Sequence, residues 1–319
     1  EARQALQHAA AVAIPVLGPQ HPESIRITTA LAVQDQVEQL STAQAKFLLD
    51  SEEALTQAET SIGSGDYDAA VEHLRRALER QKEVGDKLPP LISARTNSRL
   101  AAVLREQSKF EDSVAPLAAA RAAYESVDQH KHPSADYASV VYMQGSSAEW
   151  LGNLAEALTF YQAALEAYRR LEGESANQAA YLIPSLARCY RGLGDSTRAL
   201  ASFRQYAEEM RRIVGKDSHA YADALQQLGR AEFGVSNFVK AHELFSQAIA
   251  IETVAAPNSG NLTLYRQWLA ACDIRLGKTD AAIAEYETLL AEARQANDKS
   301  GIKFATSELA YLRRIKGDL

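Results

Sequence analysis

The chain has 319 residues and a mass of 34.8 kDa, is 46% hydrophobic and 24% charged, and has a mean hydropathy of −0.26, the balance of a folded soluble protein rather than a disordered one. A formal charge of −7 and a pI near 5.6 exclude a general nucleic-acid binder, because duplex affinity rests on Lys and Arg neutralising phosphates. No run approaches the roughly eighteen apolar residues of a membrane helix, and no basic-then-apolar leader opens the chain.

The first predicted element runs from Ala2 to Leu17, where the apolar stretch from Ala9 is cut by Pro15. It reads as the second helix of an upstream unit, and a first residue of Glu rather than Met suggests a fragment or a processed product. From Glu23 to Ile62 there is neither Gly nor Pro. Two helices over 23–39 and 42–63 are expected, with Ser41–Gln44 and Asp50–Glu53 as N-cap pairs, or else one continuous helix. Residues 1–50 thus form an irregular N-terminal part, and 51–319 a regular array.

From residue 51 onward a unit recurs. Its clearest copy is Gly65-Asp66-Tyr67-Asp68-Ala69-Ala70; others begin at Ser108, Gly152, Gly194, Ser236 and Gly277, and a truncated one at Gly317. The spacings are 43, 44, 42, 42, 41 and 40 residues, too regular for chance. Helical periodicity flanks each copy. Before Gly194, for instance, Ile183, Leu186, Ala187 and Tyr190 share one helix face, and after it Ala199, Phe203 and Tyr206 share another. Breakers fall between units, at Gly85 with Pro89-Pro90, His132-Pro133, Gly173, Gly215, Pro257 to Gly260 and Asn297 to Gly301. The unit is helix, tight turn, helix, loop. The 58 alanines fit helices that approach closely.

These residues resemble the tetratricopeptide repeat family over about 51–319. The family's small residue at position 8 is matched by Ala58, Ala101, Gly145, Ala187, Gly229, Ala270 and Ala310. Position 20 holds Ala70, Ser113, Ala157, Ala199, Ala241 and Ala282, and position 24 holds Leu74, Leu117, Tyr161, Phe203, Phe245 and Tyr286. Position 27 is filled by Ala77, Ala120, Ala164, Tyr206, Ala248 and Leu289. The period departs from the family's usual 34 residues and is similar to kinesin light chain repeats and to long-period bacterial arrays. The resemblance implies an all-α fold, a right-handed α-solenoid of about six and a half helix-turn-helix repeats stabilised by stacking.

Catalytic motifs are lacking. Leu276-Gly277-Lys278-Thr279 looks like the end of a phosphate loop, but Cys272 stands where its first Gly belongs. His130, Lys131 and His132 read as a solvated loop rather than a metal pair. Cys189 and Cys272 lie two repeats apart and read as small core residues in a reducing, cytoplasmic setting. Neither an enzyme nor a cofactor or metal site is expected.

What remains is a surface. In the family, positions 2, 5, 6, 9, 12 and 13 of the first helices line the concave wall. Carried over, these are Arg95, Arg99 and Arg105, then Tyr142, Met143 and Trp150, then Tyr181, Arg188 and Arg191. Gln226, Gln227, Arg230 and Phe233 follow, and last Gln267, Trp268 and Arg275. This wall is rich in Arg, amides and rings in a chain that is acidic overall. The implied partner is a protein or peptide with extended or acidic character, with no nucleic acid or membrane, and the unfinished end leaves self-association open. An alternative is the sensor or regulatory arm of a larger bacterial signalling protein, a Ser/Thr kinase or winged-helix regulator.

Overall fold

The computed structural model describes residues 2–18, 22–127, 133–171, 174–257 and 259–317. Among them are fifteen α-helices, one short 3-10 turn and no strand. The predicted His130 to His132 loop and the last two residues lie outside the described residues. The chain packs as two compact units, Glu1–Leu182 and Ile183–Leu319.

In the first unit α1 (Ala2–Leu17) packs on α2 (Pro22–Glu38), helped by Arg3, whose guanidinium reaches Asp35 at 3.0 Å and Glu38 at 2.7 Å. Helix α1 continues through Pro15, one turn from its end. Residues 22–63 form two helices, not one, because Ser41 interrupts the path. Its Oγ accepts from the Gln44 N–H, and the Gln44 side chain accepts in turn from the Ser41 N–H, a capping box that starts α3 (Thr42–Gly63). Asp50 and Glu53 lie inside α3 and start nothing. Three hairpins follow: α3 with α4 (Tyr67–Val84), α5 (Pro90–Glu106) with α6 (Phe110–Ser126), and α7 (Ala135–Trp150) with α8 (Leu154–Arg169). The boundary between units falls within α9 (Glu174–Gly192). The second unit continues with α10 (Ser196–Val214), the hairpins α11 (His219–Gly234) with α12 (Phe238–Ala255) and α13 (Asn261–Arg275) with α14 (Thr279–Gln295), and α15 (Lys299–Lys316).

All seven residues at which the repeat was expected to turn have positive φ, between 60° and 86°. In six of these turns the next N–H reaches back five residues, as Asp195 does to the Tyr190 carbonyl at 2.8 Å and Asn237 to Glu232 at 2.9 Å. This is the Schellman closure of the first helix. Asp66 and Asp195 then accept from the N–H three residues on, so that one four-residue turn ends one helix and caps the next. Glycine suits the left-handed position at Gly194, whereas Ser108 and Ser236 hold it at a cost of about 1 kcal/mol each.

Within each hairpin the helices cross where the small residue of the first meets the large apolar residue of the second. Ala58, Ala101, Ala187 and Ala270 are wholly buried, as are Leu74, Leu117 and Phe245. Two crossings are tighter still. A Cβ on Gly145 would stand 2.7 Å from the Tyr161 ring, and one on Gly229 would stand 2.9 Å from Phe245.

Polar side chains join helices inside this apolar stack. Buried Gln81 on α4 donates to Ser51 Oγ on α3 at 2.9 Å and to Thr96 Oγ1 on α5 at 2.8 Å. Among the described residues the second unit buries three carboxylates, each facing a side chain on a neighbouring helix. Arg204 donates to Glu232 at 2.7 Å, His219 Nδ1 sits 2.8 Å from Glu252, and His242 Nε2 sits 3.1 Å from Asp273.

Two predictions follow from the crossings and the turns. Gly229→Ala gains helix propensity yet lowers stability by about 1–3 kcal/mol, because a buried ring must move; Gly63→Ala, which meets nothing within 4 Å, stays neutral or gains slightly, and thermal melts compare the two. Ser236→Gly raises stability by about 0.5–1 kcal/mol, read as a higher urea midpoint at unchanged slope.

Candidate functional site

First helices of successive repeats touch one another, α5 with α7 and α11 with α13, so side chains on their shared face meet across repeats. In the first unit that face is largely neutralised. Arg99 on α5 pairs with Glu59 on α3, and the exposed Arg95 lies 3.8 Å from Asp136 on α7. Below them Tyr124 is buried, and its phenol is pushed up to about 12, mainly by burial and by the nearby Asp136.

Arg105 differs. Half-buried, it donates to Ser146 Oγ at 2.8 Å, while its Nε is buried without a hydrogen-bond acceptor. Burial holds the guanidinium below its ordinary proton affinity, with Tyr142 and Tyr161 acting in the opposite sense. Among the described residues no carboxylate lies within ion-pair distance of it. Tyr142 lies 5.6 Å from Tyr161 ring to ring. The Tyr161 phenol donates to Glu149 at 2.7 Å and is pushed far up by burial and that bond. Trp150 stands apart, 70% exposed and stacked on Phe110 at 4.9 Å, and Tyr181 is half-exposed on α9. These two belong to no cluster with the arginines.

In the second unit the face is built from cations and rings. Arg230 lies over the Trp268 indole, 5.2 Å from its centroid. Trp268 stacks on buried Phe245 at 6.0 Å and meets Phe233 edge-on at 5.4 Å. Phe233 meets Phe238 at 5.1 Å, and Arg275 lies over Phe238 at 4.8 Å. The result is one connected array with an arginine at each end. Gln226 is 2% exposed, and its amide nitrogen has no acceptor. Gln227 donates to Asp223 at 2.7 Å, Arg188 donates to Ser185 at 3.0 Å, and Gln267 is half-buried on α13. Burial lowers the proton affinity of Arg230; the charge of Arg191 lowers it further and Asp223 opposes both.

The structure thus sets Arg230 over Trp268, with Gln226 one turn earlier on α11; the charge of Arg191 acts on Arg230, and separately the Tyr142 phenol acts on Arg105. Sequence reasoning missed Phe238, which sits on a second helix yet completes the array, and Asp223, which holds position 2 of α11 on the expected face but was not among the residues singled out. It also missed the buried carboxylates, since nothing in the local pattern around Glu232, Glu252 or Asp273 distinguishes them from solvated acids.

Chemistry elsewhere is sparse. Cys189 and Cys272 are buried free thiols, and burial together with Asp273 pushes Cys272 up to about 12, which leaves almost no thiolate. Among the described residues no group of three metal-ligating side chains converges, and no helix is long and apolar enough to cross a membrane. A shallow depression on α10, lined by Glu208, Glu209, Arg211 and Arg212, is filled with mutual ion pairs.

Comparisons with known proteins bear on the fold. Family models described as tetratricopeptide repeat match residues 55–83, 136–208 and 182–252. No curated protein sequence matches the chain significantly. Among solved structures the chain is similar to the apo form of RapI, at 14% identity and TM-score 0.67 over 100% of this chain and 89% of that one. It is similar to BtubC (BKLC) from P. vanneervenii, at 18% identity and TM-score 0.58 over 76% and 92% of the two chains. It is also similar to a signal transduction ATPase with numerous domains (STAND) from Pyrococcus horikoshii that carries a tetratricopeptide repeat sensor. That match has 14% identity and TM-score 0.64, and it covers 92% of this chain but 42% of that protein. At such identities the likeness is one of fold. A small residue set against a ring or Leu at each crossing, a shared left-handed turn every 42 residues or so, and the family matches lead to one conclusion: the chain is a tetratricopeptide repeat protein, with the fold of a protein-interaction scaffold.

Proposed function

We propose that the chain is a non-catalytic scaffold that binds an extended, acidic peptide segment along the inner face of its first helices. The observation that carries this reading is the array Arg230, Trp268, Phe233, Phe238 and Arg275, in which cations lie over rings rather than beside carboxylates. Rings present area at low entropic cost, and a guanidinium held by a ring keeps its donors for a ligand. An acidic chain with a cationic binding face also draws acidic partners locally while its remaining surface repels them. Arg95 and Arg99, already paired with acids, contribute less than Arg105, Arg191 and Arg230. Residues 51–319 carry the binding array and 1–50 its irregular end.

A second reading is a sensor arm. The similarity to the STAND protein supports it, because the chain matches less than half of a protein whose repeats are named a sensor. In that case the same inner face captures a ligand and the effector lies in another domain. Sequencing the full reading frame decides: an adjoining kinase, ATPase or winged-helix domain favours the sensor arm, and its absence removes it.

For the scaffold reading the test is panning of a displayed random peptide library. The native chain enriches acidic sequences, and the Arg188→Glu, Arg191→Glu, Arg230→Glu triple variant loses their capture by more than about a hundredfold while circular dichroism at 222 nm stays unchanged. Undiminished capture by the helical triple variant removes the reading.

A further inference from the structure

In the first unit Phe110 opens α6 two residues after the turn at Ser108, and Trp150 ends α7 two residues before the turn at Gly152. Their rings lie 4.9 Å apart and within 8° of parallel, yet Trp150 is 70% exposed: one indole face rests on Phe110 and the other looks into solvent. In the second unit Phe238 and Arg275 hold the same two places relative to the turns at Ser236 and Gly277, and there a guanidinium lies over the ring at 4.8 Å. The other tryptophan, Trp268, likewise carries Arg230 over its ring. Among the described residues no cation lies over Trp150.

A carboxylate next to this stack in the chain also lacks a counter-charge. At the preceding junction Asp68, the second residue of α4, accepts from Gln107 at 2.8 Å and from Lys109 at 3.2 Å, the two residues that flank the turn at Ser108. Glu111 is the second residue of α6, but the residues that flank the turn at Gly152 are Leu151 and Asn153. Neither is charged, and among the described residues no basic group pairs with the exposed Glu111. An indole already held by a ring takes a cation on its free face at little further cost in side-chain freedom, and a planar guanidinium can cover that face while its edge donates to a carboxylate. The net charge of −7 draws cations to the surface from a distance. We propose that Trp150, backed by Phe110, and Glu111 form a docking point for an arginine side chain of a partner protein. This site lies in the other unit from the array Arg230 to Arg275 and does not rest on the acidic-peptide reading.

The test labels the full chain with 5-fluorotryptophan, whose two fluorine resonances are assigned with Trp150→Phe. The probes are acetylated, amidated tetraarginine, tetralysine and tetracitrulline, the last a neutral isostere of the first. Tetraarginine should shift the Trp150 resonance saturably and leave that of Trp268 in place. Tetracitrulline should bind at least about tenfold more weakly, and tetralysine at least about threefold. In anisotropy titrations of fluorescein-labelled tetraarginine, Trp150→Ala should lose affinity at least about tenfold and Glu111→Gln at least about threefold, whereas Trp150→Phe, which keeps a ring, retains part of it. Glu83→Gln removes the same charge from the far end of α4 and should change nothing, which separates this site from general attraction to an acidic surface. These side chains are exposed, so circular dichroism of every variant should match that of the native chain. An unmoved Trp150 resonance, tetracitrulline or tetralysine binding as tightly as tetraarginine, or equal losses in Glu83→Gln and Glu111→Gln overturns the proposal.

Discussion

The contact on which the structure depends is the approach of a small residue on one helix to a large apolar residue on the next. At Gly145 against Tyr161 and Gly229 against Phe245 there is no room even for a methyl group. Such closeness lets two helices of a hairpin share one buried seam although neither is strongly apolar by itself. Because that seam uses one narrow face per helix, the remaining faces are available to the next hairpin on one side and to solvent on the other.

The same constraint shapes the candidate site. Side chains within one turn of the crossing, such as Gln226 and Arg230 on either side of Gly229, are carried at a fixed height and angle by backbone that cannot shift without disturbing Phe245. A rigid scaffold of this kind holds cations over rings in the absence of ligand. The two units use this differently: in the first, Arg95 and Arg99 meet acids of the same chain, and in the second, Arg230 and Arg275 lie over rings.

The fold was legible because its signals are local and recur. A residue in the left-handed region every 40 to 44 positions, Gly at most copies and Ser at two, announces the turn, and periodic Ala and aromatic residues announce the seam. The start of α3 was legible through the Ser41–Gln44 pair, yet the equally plausible Asp50–Glu53 pair begins nothing, since a cap needs a break in the helix as well as the right residue types. The site was legible as a face but not as a network. Position within a helix shows that Arg99 and Arg230 point the same way; it does not show that Glu59 waits for one and Trp268 for the other, because those partners lie about forty residues away. Phe238 joins the aromatic array from a second helix, outside the positions a family pattern assigns to binding.

The buried carboxylates give the hairpins an order. Glu232 on α11 is answered by Arg204 on α10, and Asp273 on α13 faces His242 on α12, so each of these junctions sets a specific polar partner from the neighbour against a buried acid. The junction between α4 and α5 uses Gln81 and Thr96, and that between α6 and α7 uses Ser113 and Ser147. A transplanted hairpin would meet the apolar requirements of its new position and still leave an acid in the interior without its counter-charge. Similar as the repeats are in outline, they are therefore not interchangeable bricks: at these four junctions an address, written in one polar pair, names the neighbour that is accepted.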